Sequence, residues 1–408
     1  MTATTTSKFV IGNCIRSHLV ISTKHVPKDT MFYGLCVISA DGKGEVIIRS
    51  STPKMDAVTT LVSEDISVEG LEAGKSVCAD VSSLSRAIDS FGTGTRLDMS
   101  ITSSGSEMLV RLPGSEDDSQ TVPLAVSQAA PPPITMPKKG VFFTCAIGML
   151  TAAINRVKFA LPVSEVSKHY IYIKTIISAD SVKIVAGNGQ CFARTSFFVS
   201  DSKVPENGHP VFFPARELLK IADYLSNNFD DDDSVTITFA KDRIGFDCDS
   251  FRAVVSSASD GTVAWPEEND IFSRDSSTKL YGEMPDWNSV HNGIRAVFDL
   301  ENDPNSLCRT KLTVDKGRTK VVMATGSRNV SRRTISLSPD SAVHQEASTG
   351  VFASSIFCEI VKAAKGCNKL VLELDSNKFR GYPPPIIMRS FNDASSIPII
   401  EAFFSQFS

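Results

Sequence analysis

The chain has 408 residues, enough for two to four domains that each bury a core of their own. At 42% hydrophobic and 22% charged it has an ordinary globular composition, with no apolar run long enough to cross a membrane and no hydrophobic leader in MTATTTSKFV. A net charge of −4 at pH 7 excludes an evenly basic nucleic-acid binder and leaves room only for a basic strip on an otherwise acidic surface.

Nine cysteines (14, 36, 78, 145, 191, 248, 308, 358 and 367) form no C-x-x-C pair and read as reduced thiols used as small core residues. The chain opens with a helix over 12–23, then strands over 31–39 and 45–51. A helix over 82–91 leads into the strand RLDMSI, and three prolines at 131–133 stiffen a linker over 129–140. Ile147, Leu150, Ile154, Val157 and Leu161 recur 3, 4, 3 and 4 apart and predict a helix over Thr144–Leu161. YIYIKTII and SVKIVAG form a hairpin. In HPVFFPARELLKIADYL (His209–Leu225) a buried strand ends at Pro214. Leu218, Leu219, Ile221, Ala222 and Leu225 then give a helix its apolar face. The strand SVTITF and a hairpin over 243–258 follow. After a polar join over 265–280 come a helix over Trp287–Leu300, strands KLTV and KVVMAT, a helix over Ser354–Ala364, the strand KLVLEL and the tail SSIPIIEAFFSQFS.

The unit of buried strand, helix and second strand occurs three times. Its anchors Leu84, Leu218 and Ile356 are almost evenly spaced along the chain. The interval from Val185-Ala186-Gly187-Asn188 to Met323-Ala324-Thr325-Gly326 equals that from Leu218 to Ile356. It is close to a third of the whole chain, a domain-sized period. The expected fold is α+β: three copies of one domain, at 1–128, 141–270 and 271–408, each with two helices packed on antiparallel sheets.

Catalytic signatures such as G-x-S-x-G, G-x-x-x-x-G-K-[ST] and H-E-x-x-H are absent, and the six histidines show no metal-ligand spacing. Gly187-Asn188-Gly189 follows a strand but lacks the glycine pattern and helix start of a phosphate loop. The run Asp230–Asp233 is the one dense carboxylate cluster. It reads as a solvated loop tip, with a divalent-metal site as the alternative. The cations are placed with more pattern. Arg86, Arg156, Lys158, Arg216, Lys220, Arg295, Lys362 and Lys365 all lie on or at the ends of expected helices, several of them off the apolar stripe.

The order and threefold spacing of these segments resemble the bacterial-type DNA sliding clamp, the β subunit of the replicative DNA polymerase III. LTAAINRVKFALPVSEVSKHYIYI followed by VKIVAGNGQCFAR is similar to that family's helix, tyrosine-containing turn, strand and V-A-T-D-G-H-R-L segment. VFFPARELLKIADYL resembles its second helix, and SSASDGTVAWPEENDIF its K-L-V-D-G-x-F-P-D-Y segment. The resemblance implies a three-domain chain forming half of a ring: a head-to-tail homodimer with helices inside and sheets outside. It implies a processivity factor and not an enzyme, with no cofactor, no metal and no membrane. The ring would encircle double-stranded DNA independently of sequence and tether the replicative polymerase and a clamp loader, in the cytoplasm of a bacterium or of a phage-infected host.

The helix-borne cations Arg86, Arg156, Lys158, Arg216, Lys220, Arg295 and Lys362 are then the candidate DNA contacts, with Tyr170 added by the resemblance. Carried over residue by residue, a partner-peptide groove between the second and third domains falls to Ile171, Gly187, Gly189, Gln190, Cys191, Phe192, Pro266, Ile271, Pro385, Ile400 and Phe403. The family's His-Arg after the glycine is Gln190-Cys191 here, and its Met-Pro-Met-Arg-Leu end is replaced by Glu401-Ala402-Phe403-Phe404 and a short extension. Such departures suit a divergent, phage-encoded member. The alternatives are a structural ring or tube protein that never meets DNA, and a metal-dependent enzyme using Asp230–Asp233.

Overall fold

A computed structural model of the chain describes residues 34–40, 45–52, 55–61, 68–69, 74–92, 97–115, 117–125, 134–138, 140–162, 171–205, 208–240, 242–257, 265–266, 268–272, 278–301, 309–314, 320–325, 331–336, 348–374, 386–392 and 398–404. The helix expected over 12–23 lies outside them.

Strands β1 (Leu35–Ala40), β2 (Val46–Ser51), β3 (Met55–Leu61), β4 (Val68–Glu69) and β5 (Ser76–Asp80) precede helix α1 (Val81–Asp89). Then come β6 (Asp98–Ile101), β7 (Glu107–Arg111), β8 (Ser119–Ala125), β9 (Val141–Ala146) and α2 (Ile147–Val157), which tightens into a 3-10 turn at Lys158–Ala160. Next are β10 (Tyr172–Ile177), β11 (Ser181–Gly187), β12 (Cys191–Phe198), β13 (Asp201–Lys203), β14 (His209–Pro214) and α3 (Ala215–Asn228). They are followed by β15 (Ser234–Phe239), β16 (Arg243–Cys248), β17 (Phe251–Ser256) and the short helix α4 (Glu268–Phe272). The remainder is β18 (Thr278–Glu283), α5 (Met284–Glu301), β19 (Arg309–Val314), β20 (Lys320–Thr325), β21 (Ser331–Ser336), β22 (Ser348–Ala353), α6 (Ser354–Ala363), β23 (Lys369–Leu374), β24 (Ile386–Phe391) and β25 (Ile400–Phe404).

The fold is α+β with repeated elements. Five times among the described residues a strand runs straight into a helix, at Asp80/Val81, Ala146/Ile147, Pro214/Ala215, Glu283/Met284 and Ala353/Ser354. Most sheet pairings are antiparallel, and β4 meets β6 in a brief parallel contact. By contacts the chain forms two compact units. Unit 1 comprises Met1–Thr151, Val199–His209 and Arg216–Ser259; unit 2 comprises Ala152–Phe198, Pro210–Ala215 and Asp260–Ser408.

Unit 1 is built on a 13-stranded sheet ordered β13-β9-β15-β16-β17-β3-β2-β1-β5-β8-β7-β6-β4. Its middle joint pairs Phe251 with Thr59 and Val255 with Met55, positions far apart in sequence. Helix α1 buries Val81, Leu84, Ala87 and Ile88 against Ile38, Ile48, Met108 and Val110. The Asp80 carboxylate accepts from the Ser83 amide at 2.7 Å and so caps that helix. Asp80→Ala should cost about 1 kcal/mol and speed amide exchange in α1 roughly fivefold, with the exchange of β16 and β17 as the internal control.

Unit 2 holds an eight-stranded sheet ordered β14-β10-β11-β12-β25-β24-β23-β18 and a four-stranded sheet ordered β21-β20-β19-β22. Trp287, Val290 and Ile294 of α5 are buried, and the Trp287 indole donates to the Leu370 carbonyl at 3.0 Å. Phe357 of α6 meets both Trp287 and Phe352 with tilted rings.

The stripe read from Ile147 to Leu161 is buried throughout, each large aliphatic contributing about 1.5–3 kcal/mol. The expected start at Thr144 is corrected, because Thr144–Ala146 belong to β9. There Phe143 and Cys145 are buried while their neighbours are half-buried, a period of two and not of 3.6. The described cysteines are buried, and burial pushes the thiols of Cys36, Cys145 and Cys248 up to about 12, which keeps them protonated.

The acidic run is a helix cap. The Asp233 carbonyl accepts from the Ile147 amide at 2.8 Å and the Asp231 carbonyl from the Gly148 amide at 2.9 Å. Asp231 packs so near Gly148 that a Cβ there would meet it at 2.7 Å. Backbone carbonyls of the run thus take up the first amides of α2, and the exposed acidic residues lie at the positive end of the helix dipole, where negative charge is favourable.

Candidate functional site

The eight-stranded sheet carries an organised face. Register sets Gly187 opposite Phe192, Phe192 opposite Phe403, Phe403 opposite Ile387 and Ile387 opposite Glu373. One step along the strands, Lys174 faces Val185, Val185 faces Arg194, Arg194 faces Glu401 and Glu401 faces Arg389. Because side chains alternate along a strand, these two rows lie on the same side of the sheet.

The first row is apolar up to Glu373, which ends it and joins the ionic network. Phe192 is 6% exposed and meets Phe403 and Trp265 edge-on, with ring centroids 6.2 and 6.4 Å apart. Val185, Phe192, Ile271, Phe272, Ile387 and Phe403 form one cluster with Trp265 packed on it. Gly187 makes room for the Phe192 ring, since a Cβ at that position would lie 2.4 Å from it.

The second row is ionic. Glu401 accepts from Arg389 Nε at 2.8 Å and also from Arg194 Nε, while Arg389 reaches Glu373 through Nη1. Burial works against the Arg389 charge, but hydrogen bonds and Coulombic attraction from Glu373 and Glu401 outweigh it and raise its pKa above the ordinary value. Glu268 of α4 extends the network to Lys174 at 3.4 Å, Lys183 at 3.6 Å and Arg194 at 3.7 Å. The Arg194 guanidinium lies 4.4 Å over the Phe272 ring, and Arg389 Nη2 donates to the Phe272 carbonyl at 2.8 Å.

Of the residues expected in a groove, Gly187, Phe192, Ile271 and Phe403 share this face. Half-buried Pro266 follows Trp265 directly in the chain. Gly189, at φ +88°, and Gln190 are exposed in the β11–β12 turn, where Asn188 Oδ1 accepts from the Gln190 and Cys191 amides. Gly187-Asn188-Gly189 is thus a hairpin turn and not a phosphate loop. Ile171 is half-buried and its carbonyl accepts from the Ala215 amide. Alternation turns Cys191 and Ile400 to the opposite, buried face of the sheet, and burial raises the Cys191 thiol pKa. Pro385 and Tyr170 lie outside the described residues. Sequence reasoning missed Trp265 as a packing partner, the helix α4 and the whole ionic row. A lone charge inside each apolar strand, IIMRSF, KLVLEL and IIEAFF, was the available signal.

The expected DNA-contacting cations divide by unit. In unit 2, α6 packs against α5 and against the 3-10 turn at Lys158–Ala160. Lys158, Arg295 and Lys362 are exposed on those three neighbouring elements, while Arg156 is half-buried. Lys362 lies 4.0 Å from Glu359 and Lys158 donates to Asn155 at 3.4 Å. Lys365, just past α6, is also exposed. In unit 1, Arg86 is exposed and donates to the Ser82 carbonyl, and Arg216 and Lys220 are half-buried on α3.

No family model and no curated protein matches the chain. Solved structures match it from end to end. The DNA polymerase III subunit β sliding clamp from Pseudomonas aeruginosa, bound to griselimycin, gives a TM-score of 0.75 at 14% identity, covering 98% of this chain and 97% of that one. The sliding clamp from Bacillus subtilis gives 0.73 at 12% identity over 97% of each chain. The β subunit from Thermotoga maritima gives 0.72 at 10% identity over 97% of this chain and 98% of its own. The chain has the fold of the DNA polymerase III β sliding clamps over 97–98% of its length, on a sequence only 10–14% identical to theirs.

Proposed function

We propose that the chain is a DNA polymerase processivity factor. Two copies join head to tail around a duplex, and the ring tethers the replicative polymerase and other replication proteins at the apolar row of unit 2. The observation that carries this reading is the end-to-end likeness to β sliding clamps. The exposed cations on α5, α6 and the adjoining 3-10 turn support it, because contacts to phosphates hold DNA without selecting a sequence. The repeats at 1–128, 141–270 and 271–408 are the three clamp domains of this proposal. The reading makes the chain a cytoplasmic protein with no catalytic chemistry of its own, and no helix among the described residues is long and apolar enough to cross a membrane.

The test is topological. The protein is placed on nicked circular plasmid by a clamp loader with ATP, then washed at salt that abolishes its binding to a short duplex. It should stay on the circle and leave once the circle is cut. Equal retention on cut and uncut DNA would overturn the reading, and so would a monomer-only native mass at micromolar concentration. Lys158→Glu with Lys362→Glu should weaken short-duplex binding at low salt roughly tenfold or more and flatten its salt dependence by about two charges.

A further inference from the structure

Helix α4 covers the apolar row, and its first residue is held there by its carboxylate. Glu268 is 8% exposed and lies within 4 Å of three cations rooted in three different strands: Lys174 on β10, Lys183 on β11 and Arg194 on β12. The far end of the same helix is held by Arg194 over the Phe272 ring and by Arg389 on the Phe272 carbonyl. Between these points Ile271 and Phe272 press into the cluster of Phe192 and Phe403, whose exposure is only 6% and 7%. In this state the row offers a partner almost no surface.

We propose that α4 is a closed ionic clasp, and that Glu268 is the positioning residue that keeps it shut over Phe192 and Phe403. Lifting α4 uncovers an apolar row flanked by Lys174, Lys183 and Arg194. What then docks carries an aliphatic or aromatic pair together with a carboxylate that replaces Glu268. The clasp depends on the proposed function only in what the uncovered row is for.

The charges explain why the clasp is poised. Glu268 is the only one of the three network carboxylates that α4 supplies, against four cations and two carboxylates on the sheet. Removing it leaves the Glu401 and Glu373 pairings of the sheet in place but takes away the opposite charge that draws α4 to Lys174 and Lys183. A docking carboxylate restores that attraction, so opening and capture are coupled through the same cations.

Hydrogen exchange of the full-length protein tests the clasp. In Glu268→Gln the amides of 268–272 should exchange at least about tenfold faster than in the parent, with β11 and β12 unchanged. Lys183→Gln should act in the same direction but by only about twofold to threefold, because that side chain is 42% exposed. It keeps the test open should Glu268→Gln fold poorly. Unchanged exchange in α4, or equal acceleration across β11 and β12, would overturn the clasp. A fluorescent octapeptide copying residues 265–272 supplies the second arm. It should bind the Glu268→Gln chain at least about fivefold more tightly than the parent. An opened α4 without tighter peptide binding keeps the clasp and removes the docking role of the row. Peptide binding with α4 unmoved keeps the docking role and removes the clasp.

Discussion

Arg389→Met should destabilise unit 2 by about 3–5 kcal/mol. Arg389 bridges Glu373 and Glu401, whose side chains are only 3% and 10% exposed. Methionine keeps much of the volume but leaves Glu373 charged, buried and without the guanidinium that offset its desolvation. Both tryptophans of the chain, Trp265 and Trp287, belong to unit 2, so urea denaturation followed by tryptophan fluorescence reads this unit. With a slope of about 1–3 kcal/mol per molar urea, the midpoint should fall by more than about 1 M. The Arg252–Asp247 pair, 58% and 46% exposed, is the contrast, and Arg252→Met should cost under about 1 kcal/mol by amide exchange in unit 1. Equal losses in the two variants would show that burial does not set the cost. Adding Glu373→Gln to Arg389→Met should recover part of the loss, since the orphaned charge is then gone.

Phe192→Ala should cost about 3 kcal/mol in unit 2 and remove the central anchor of the proposed docking row. The ring is enclosed by Trp265, Phe403 and the bare Cα of Gly187, so alanine leaves a hole that the sheet backbone cannot close. Helix α4 and Trp265 can settle partly into it, which places the cost at the low end for a buried phenylalanine. Gly187→Val tests the fit from the other side. Alone it drives a side chain into the ring and should destabilise by about 1–3 kcal/mol. Combined with Phe192→Ala it partly fills the vacated space, so the double variant should be more stable than the two losses added together. Strict additivity would mean that the two positions do not share one space.

Much of the fold was legible because the apolar spacing of the helices is strong and occurs repeatedly. Ile147, Leu150, Ile154 and Val157 announce α2, and Leu218, Ile221, Ala222 and Leu225 announce α3; all eight are buried. What escaped was short or relational. Helix α4 has five residues, too few to show a period. The capping of α2 by Asp231 and Asp233 joins segments far apart in the chain, so the acidic run looked like a loop tip with no duty. Within the site, Phe192, Ile271 and Phe403 were reached by resemblance and pack in one cluster. Cys191 and Ile400 lie on the face opposite Phe192 and Phe403 because neighbours in a strand alternate, and a list of nearby residues ignores that alternation. The ionic row was visible only as solitary charges in apolar strands. Which of them pair depends on a register that no single strand contains.

Strand β25 lies between β12 and β24 in the middle of the eight-stranded sheet, not at its edge. Residues 400–404 pair on one side with residues 191–195, which are made long before them. During synthesis β12 and β24 both present open edges until residue 404 has left the ribosome, and only then can the sheet close. The long-range pairing makes this a slow step, because loop closure precedes any contact that rewards it. An interrupted translation product would expose two unpaired edges flanking the phenylalanines of the docking row, a surface suited to aggregation and to capture by chaperones. Assembly of the candidate site therefore reports that synthesis has run through β25.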